Sequence, residues 1–193
     1  SDNIFTVGGS VSVNVHGWQI SSPPIGSSVI QIKIITWDGQ KKIINKTTEP
    51  DLFNAVIGGY GLFGIITEVE LETVPNTPLG FHCAFMPTQK FADFFEAEIS
   101  KNPKAQLAYG RLSVDKENMF KEVGVFWYEQ TEDTTITTPI EPEDFVGLKR
   151  TFFRLSEYFD VGKKARWVAE KIFSQYKASQ KPISRNNAMN TDI

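Results

Sequence analysis

Residues 51–72, DLFNAVIGGYGLFGIITEVELE, contain four closely spaced glycines whose interpretation decides the fold of the N-terminal half. Gly59, Gly61 and Gly64 have the GxGxxG spacing that binds dinucleotides in the Rossmann fold. That fold needs a strand before the glycines and a helix N-terminus after them. Here a short helix is predicted before the turn and a strand after it. The motif is therefore not a Rossmann fingerprint, and its glycines let the backbone pass close to a ligand or a packed neighbour.

The N-terminal half has the pattern of short strands and turns with one helix. Residues 29–37 and 41–45 are rich in isoleucine and flank the turn pair Asp38-Gly39, which predicts a β-hairpin. The alternation in SVSVNV, residues 10–15, predicts a short strand. The other predicted elements are a loop at 17–28, a helix at 47–59 with Thr48 as its cap and Pro50 in its first turn, and a strand at 65–74.

The second half follows a proline-containing linker at residues 75–80 and combines strands with helices. The predicted helices cover 88–101 and a region whose clearest part is 165–179. The predicted strands are 81–86, 105–114 and 122–130, and the polar segment 131–144 is a predicted loop. The fold class is therefore α+β, with an antiparallel sheet in the second half. Two domains are predicted, over residues 1–77 and residues 78–193.

The charge of the chain gives no sign of a nucleic-acid partner. The net charge is −3, from 20 basic and 23 acidic residues. Residues 145–193 carry 10 basic and 4 acidic residues, and this excess suits either an acidic or phosphorylated partner or the solvated face of a helix. Cys83 is the one cysteine, which excludes an intrachain disulfide. With no apolar run that spans a bilayer and no secretory signal pattern, we expect a cytoplasmic protein.

Three segments together carry a family resemblance. They are TVGGSVSVNVHG (6–17), VIQIKIITWDGQ (29–40) and EPDLFNAVIGGYGLFGIITEVELETVP (49–75). In this order they resemble the second half of the PCMH-type FAD-binding domain in the vanillyl-alcohol oxidase superfamily of FAD-linked oxidases. Within it, the chain looks most similar to the sugar-alcohol and aldonolactone oxidase type, including the decaprenylphosphoryl-ribose oxidase group. The resemblance covers about residues 6–78 and implies FAD as cofactor, while residues 78–193 are only loosely similar to a substrate or cap domain.

The resemblance implies cofactor-binding residues in the two glycine-containing segments. The backbone of Ile66 would contact the adenine ring, and the residues around the first glycine pair would line the flavin and the pyrophosphate. Successive backbone N–H groups in such turns also form sites for anions. The predicted set is Gly8, Gly9, Ser10, Asn14, Val15, His16, Gly61, Gly64 and Ile66. No metal site is predicted, because two histidines and one cysteine are too few ligands for zinc.

His16 is the predicted catalytic residue. In the resembling family the histidine of the His-Gly pair lies near the flavin, where an imidazole can bind substrate or stabilise the charge of the reduced flavin. The alternative is a histidine that ends a strand and caps a loop. Asn14 either positions the substrate or makes a hydrogen bond beside a turn. His82 and Cys83 are adjacent on a strand and face opposite ways, and Cys83 is expected to be a buried small apolar residue.

Other candidate residues have structural alternatives. Ser113 lacks the G-x-S-x-G frame of a hydrolase nucleophile. Several aromatic residues form either a substrate pocket or, as the favoured interpretation, the core: the stretch VFWYE (125–129), Phe152, Phe153, Tyr158 and Phe159. A polar cluster near the end belongs either to an active site or, as we favour, to an exposed segment: Arg185, Asn186, Asn187 and Asn190.

The resemblance implies an FAD-dependent oxidoreductase that oxidises an alcohol carbon of a sugar, polyol or lactone by hydride transfer to the flavin. Two alternatives stay open: a degenerate flavin fold without turnover, and a flavin reductase of an enolpyruvyl sugar nucleotide. The family's first FAD subdomain is not recognisable in this chain, so we expect a fragment that is inactive and binds FAD weakly by itself. Such a fragment is expected to expose apolar surface, which a second copy could cover in a homodimer.

Overall fold

The computed structural model describes residues 5–20, 22–132, 154 and 159–190. The chain forms two compact units: unit 1 is Ser1–Gly17 with Ser21–Pro75, and unit 2 is Trp18–Ile20 with Asn76–Ile193. Each unit contains an antiparallel sheet and helices. The α+β class predicted from the sequence is therefore confirmed. The assignment of the two halves to a flavin-binding and a substrate domain stays a prediction.

Unit 1 is built on a three-stranded antiparallel sheet in the order β2–β1–β3. Strand β1 spans Val29–Ile35, β2 spans Lys41–Asn45 and β3 spans Ile65–Leu71. β1 and β2 form the predicted hairpin, and Gly39 in its turn has a φ of 81°, which glycine adopts without strain. Helices α1 (Val7–Ser12) and α2 (Pro50–Val56) complete this unit. Its core consists of Val11, Val29, Ile32, Ile34, Ile44, Phe53 and Val56.

The strand predicted at residues 10–15 is wrong, because Val7–Ser12 form helix α1. The side chain of Thr6 caps this helix by accepting a hydrogen bond from the Gly9 N–H. Of the three valines whose spacing suggested a strand, only Val11 is buried. Alternation over six residues is too short to distinguish a strand from a short helix, and the threonine cap favours the helix.

Helix α2 confirms the prediction of a helix before the glycines, but its cap is not the predicted Thr48. The cap position is Glu49, and Pro50 occupies the first turn as predicted. Glu49 has a φ of 52°, and its side chain makes no capping hydrogen bond. Its carboxylate instead accepts hydrogen bonds from Nζ of Lys42, in strand β2, at 2.9 and 3.0 Å.

Unit 2 contains a four-stranded antiparallel sheet in the order β5–β6–β4–β7. The strands are β4 (Pro78–Pro87), β5 (Ala105–Leu112), β6 (Glu122–Gln130) and β7 (Ile183–Ser184). The sequence predicts the first three but not the short β7. It also predicts a loop at Trp18–Ile20, whereas these residues lie along β5, with the Ile20 N–H donating to the Gln106 carbonyl at 3.0 Å.

Helices cover both faces of the unit 2 sheet. Residues 88–100 form one helical segment, with helix α3 (Phe91–Phe94) at its centre, and Ile99 packs with Val123 and Val125 on one face. Helix α4 (Asp160–Ala178) packs on the other face, where Trp167 meets Phe85 edge-on at 5.7 Å. The short helix α5 (Arg185–Met189) lies on that same face through the buried Ala188.

The aromatic stretch at residues 125–129 belongs to the core of unit 2, which confirms the favoured interpretation. Phe126 and Tyr128 are both 0% exposed, and Phe81 packs against both rings. Phe159 is exposed and so adds nothing to that core. The remaining aromatic candidates, Phe152, Phe153 and Tyr158, lie outside the described residues.

Phe53→Ala tests the core of unit 1. Phe53 is 1% exposed, so its truncation leaves a cavity. We expect urea denaturation to show a loss of about 3–5 kcal/mol in the free energy of unfolding. Trp37→Ala is the matched control, because the Trp37 ring is 93% exposed and its removal should change that free energy by less than ~0.5 kcal/mol. Equal losses in the two variants would contradict the core described here.

Candidate functional site

The glycine turn between α2 and β3 has positive φ angles at four positions. They are Gly58 (74°), Tyr60 (52°), Gly61 (79°) and Gly64 (142°). Strand β3 begins at Ile65, directly after the last glycine. A strand and not a helix therefore follows the GxGxxG motif, which confirms that it is not a Rossmann fingerprint.

The turn has one packed side and one open side. A Cβ atom at Gly64 would collide with the Ile35 carbonyl oxygen, and one at Gly59 would collide with the Ala55 carbonyl oxygen. At Gly61, by contrast, a Cβ atom would have no neighbour within 4 Å. The backbone at Gly61 is therefore accessible to a ligand, while Gly59 and Gly64 are needed for packing.

Backbone hydrogen bonds join this turn to the C-terminal end of α1. The Gly58 N–H donates to the Val11 carbonyl at 3.0 Å, and the Tyr60 N–H donates to the Ser12 carbonyl at 2.9 Å. These carbonyls belong to the last turn of a helix, which offers them no i+4 partner within the helix. The Val11 carbonyl accepts a second hydrogen bond, from the Asn14 N–H at 3.0 Å. The two segments that the sequence singled out are thus one structural feature of unit 1.

The structure brings Gly8 beside Ile66 but leaves few free backbone donors in α1. A Cβ atom at Gly8 would lie 3.6 Å from the side chain and carbonyl oxygen of Ile66. The Gly9 N–H donates to Thr6 Oγ1 at 3.1 Å, and the Ser10 N–H donates to the Thr6 carbonyl at 2.9 Å. An anion at Gly9 and Ser10 would therefore have to be bound by the Ser10 hydroxyl and not by these two amides.

Asn14, Val15 and His16 follow α1. Asn14 has a φ of 47°, and its Oδ1 accepts a hydrogen bond from the Gly26 N–H at 3.0 Å, so Asn14 makes the turn hydrogen bond that was its structural alternative. The exposed His16 ring has Nδ1 3.1 Å from the Gly17 carbonyl oxygen. A carbonyl oxygen only accepts hydrogen bonds, so this contact requires the proton on Nδ1 and leaves Nε2 as the acceptor of the neutral ring.

A small crevice lies between α1, the glycine turn and β3. It is too narrow to admit even a water molecule, whereas pockets for drug-sized ligands measure about 300–1,000 Å³. A dinucleotide could therefore lie only across its mouth. It is lined by Ser12, Val56, Gly61, Phe63, Gly64 and Ile66.

Exposed apolar side chains lie in the same segments of unit 1, as the sequence led us to expect. Tyr60, Leu62 and Ile65 are 75%, 82% and 69% exposed. In and before α1, Phe5 and Val7 are also exposed. Several exposed apolar residues around one feature are typical of a binding surface.

The candidates of unit 2 show no catalytic arrangement. Cys83 packs against the aromatic core, and burial raises the pKa of its thiol, which favours the inert protonated form. His82 stacks on Trp127 at 5.4 Å, on the opposite face of the sheet. The Ser113 hydroxyl donates to Asp115 at 2.7 Å and not to a histidine. In the part of the chain that the structure describes, no cluster of histidine, cysteine or acidic residues could hold a metal ion.

Part of the positive charge near the C-terminus is neutralised by acidic residues of unit 2. Lys164 pairs with Glu117 at 2.7 Å, and Lys171 pairs with Glu122 at 2.6 Å. These pairs favour the solvated helix face over a basic binding surface. In the polar cluster of α5, Arg185 is partly buried, and burial lowers the pKa of its guanidinium. Its one described side-chain hydrogen bond is to Gln106 Oε1 at 3.4 Å.

Curated relatives provide an independent comparison. Cytokinin dehydrogenase 3 of Arabidopsis thaliana is 32% identical over 113 residues, which are 57% of this chain and 22% of that protein. Cytokinin dehydrogenase 2 of Oryza sativa is 38% identical over 71 residues, 36% of this chain and 13% of that protein. A protein of Neurospora crassa provisionally named D-arabinono-1,4-lactone oxidase is 29% identical over 99 residues, 51% of this chain and 18% of that protein.

The matched residues are homologous to FAD-linked oxidases of the vanillyl-alcohol oxidase superfamily. These relatives are FAD-dependent flavoproteins, as the sequence resemblance implied. Cytokinin dehydrogenases are a group that the resemblance did not name. The chain spans about a fifth or less of the length of these relatives. No family model matches the chain.

None of the described helices is both long and apolar enough to cross a membrane.

Gly64→Ala tests whether the glycine turn depends on close packing. The substitution adds a Cβ atom against Ile35 at a φ of 142°, a region that is essentially restricted to glycine. We expect a loss of about 3 kcal/mol or more in the free energy of unfolding, measured by urea denaturation. The control Gly39→Ala, also at positive φ but with open space around it, should lose only about 1 kcal/mol. Equal losses would show that backbone conformation alone accounts for the effect.

Proposed function

We propose that residues 1–77 form part of the FAD-binding domain of an oxidoreductase and that residues 78–193 form part of its substrate domain. One observation carries this proposal: backbone hydrogen bonds join α1 to the glycine turn, and the backbone of Gly61 in that turn is open. Exposed apolar side chains surround this feature, and the homologous relatives use FAD. The described residues of unit 1 therefore fit one wall of a cofactor site, and other parts of the enzyme would supply the remaining walls.

In this proposal each segment of unit 1 holds a different part of the cofactor. The backbone of Ile66 contacts the adenine, because β3 is an edge strand of the unit 1 sheet and its outer backbone groups have no strand partner among the described residues. Gly61, which has open space around it, lets the turn approach the ring system closely, and Gly64 packs the turn against Ile35 of β1. The Ser10 hydroxyl hydrogen-bonds the pyrophosphate, and the residues from Gly8 to His16 follow the cofactor toward the flavin.

His16 is the proposed catalytic residue. Bound FAD supplies the acceptor for a hydride from the substrate carbon. With its proton held on Nδ1 by the Gly17 carbonyl, the ring offers Nε2 to accept a hydrogen bond from a substrate hydroxyl or amine. The exposure of the ring leaves Nε2 accessible to such a group. His16 would thus orient the substrate and polarise the bond to the proton that must leave.

Two substrate classes remain in competition. Oxidation of an alcohol carbon in a sugar, polyol or lactone is our proposal, and the Neurospora crassa relative supports it. Oxidation at an amine C–H bond is the second candidate, and the cytokinin dehydrogenases among the relatives favour it. Both reactions remove a hydride from a carbon that bears a hydrogen-bonding heteroatom, so the same histidine could serve either one.

The first test is the visible spectrum of the purified full-length gene product, followed by anaerobic addition of candidate reductants. We expect bound flavin that is bleached by an aldonolactone or polyol. Bleaching by a cytokinin amine would move the substrate class to amines, and bleaching by NADPH would identify a reductase. Bound flavin that none of them bleaches would favour a degenerate fold. Protein that neither contains nor takes up FAD would contradict the proposal as a whole.

His16→Ala tests the catalytic residue in the same protein. We expect the flavin content to stay unchanged while the rate of flavin reduction by substrate falls roughly 10²-fold, because the substrate loses the group that orients it, in stopped-flow absorbance. His82→Ala is the matched control, because His82 lies in unit 2 and stacks on Trp127. If the substrate reduces the flavin at the same rate in both variants, His16 has only a structural role.

A further inference from the structure

Tyr60 differs from the other residues of the glycine turn that have positive φ. Gly58, Gly61 and Gly64 have no side chain to oppose this conformation, whereas Tyr60 adopts a φ of 52° with a bulky aromatic ring. The left-handed region disfavours residues with a Cβ atom, and bulky residues are rarely found there. Glycine would suit the backbone of Tyr60 better than tyrosine does.

The ring of Tyr60 makes few contacts in unit 1 that would offset this backbone strain. It is 75% exposed, and within the described residues no hydrogen bond or ring contact involves its side chain. The contribution of this residue to the fold is its backbone N–H, which donates to the Ser12 carbonyl and would be present in any residue except proline. Packing and hydrogen bonding in unit 1 therefore do not explain an aromatic side chain here.

The chain segment that carries the ring is apolar and uncharged. Leu62 and Ile65 in the same turn are largely exposed, and Phe63 lines the crevice. From Gly58 to Thr67 the sequence has no charged residue. Such a surface suits a flat, neutral ring and is unsuited to a phosphate group, which needs cations or free N–H groups.

We propose that Tyr60 is a cofactor-positioning residue whose ring stacks on the adenine of FAD. This inference rests on the proposed function, in which Ile66 at the end of the same turn contacts the adenine while His16 lies toward the flavin. Stacking between an aromatic side chain and a purine is strong and needs no hydrogen-bond pattern. The left-handed backbone fixes the direction in which the Tyr60 side chain leaves the turn, and the ring would become ordered when it stacks on the adenine.

Three variants of the full-length, deflavinated gene product test this proposal. Tyr60→Gly removes the ring and relieves the backbone, Tyr60→Asn removes the ring but tolerates positive φ, and Tyr60→Phe keeps the ring. We expect the first two to bind FAD roughly tenfold more weakly in a flavin-fluorescence titration, whereas Tyr60→Phe binds like the wild type. The thermal midpoint of the apoprotein should be equal or higher in Tyr60→Gly, so weaker binding would not reflect unfolding.

ADP and FMN separate the two ends of the cofactor. ADP carries the adenine without the flavin ring, and FMN carries the flavin ring without the adenine. We expect Tyr60→Gly to lower the affinity for ADP, measured by its competition with FAD, by the same factor as the affinity for FAD. The affinity for FMN should stay unchanged. An equal loss for FMN, or wild-type affinity for FAD in Tyr60→Gly, would overturn the proposal. A wild-type protein that binds no FAD would instead overturn the proposed function on which it rests.

Discussion

Two backbone hydrogen bonds hold the candidate site together. They join the N–H groups of Gly58 and Tyr60 to the carbonyl oxygens of Val11 and Ser12. The last carbonyls of a helix lack partners inside the helix, and an unpaired backbone group in a folded protein is costly. The Val11 carbonyl also accepts from the Asn14 N–H, so the Ser12 carbonyl is the one that depends more on the turn. The turn reaches these carbonyls because its backbone takes positive φ angles, which three glycines allow at little cost. Two segments that are distant in the sequence thereby form one surface with an open backbone at Gly61.

The sequence predicts those parts of the fold that depend on local pattern. The hairpin around Gly39, the helix before the glycines and strand β6 all have strong periodicity and clear turn residues. The prediction of a strand at residues 10–15 is wrong because three valines at every second position have the spacing of a strand. The Thr6 cap and the N–H donors of the glycine turn stabilise a helix there. The pairing of Trp18–Ile20 with β5 has no local signal and appears only in three dimensions.

The candidate site is predictable to a similar extent. Sequence order alone excludes a Rossmann site, because it shows that a strand follows Gly64. The family resemblance then predicts FAD as the cofactor and the two segments that we propose to bind it. Neither source could show that Thr6 already occupies the Gly9 and Ser10 amides, or that Asn14 is bound to Gly26. The sequence also could not show the positive φ of Tyr60, although a tyrosine between two glycines indicates a position worth testing.

The most direct test of the cofactor surface is amide hydrogen exchange of the full-length gene product with and without FAD. Exchange reports which backbone amides become protected when a ligand binds, whatever the reaction catalysed. We predict slower exchange in the peptides that cover residues 7–16 and residues 58–66 once FAD is bound. Unchanged exchange in both segments, with protection confined to other parts of the protein, would contradict the assignment of α1 and the glycine turn to the FAD site.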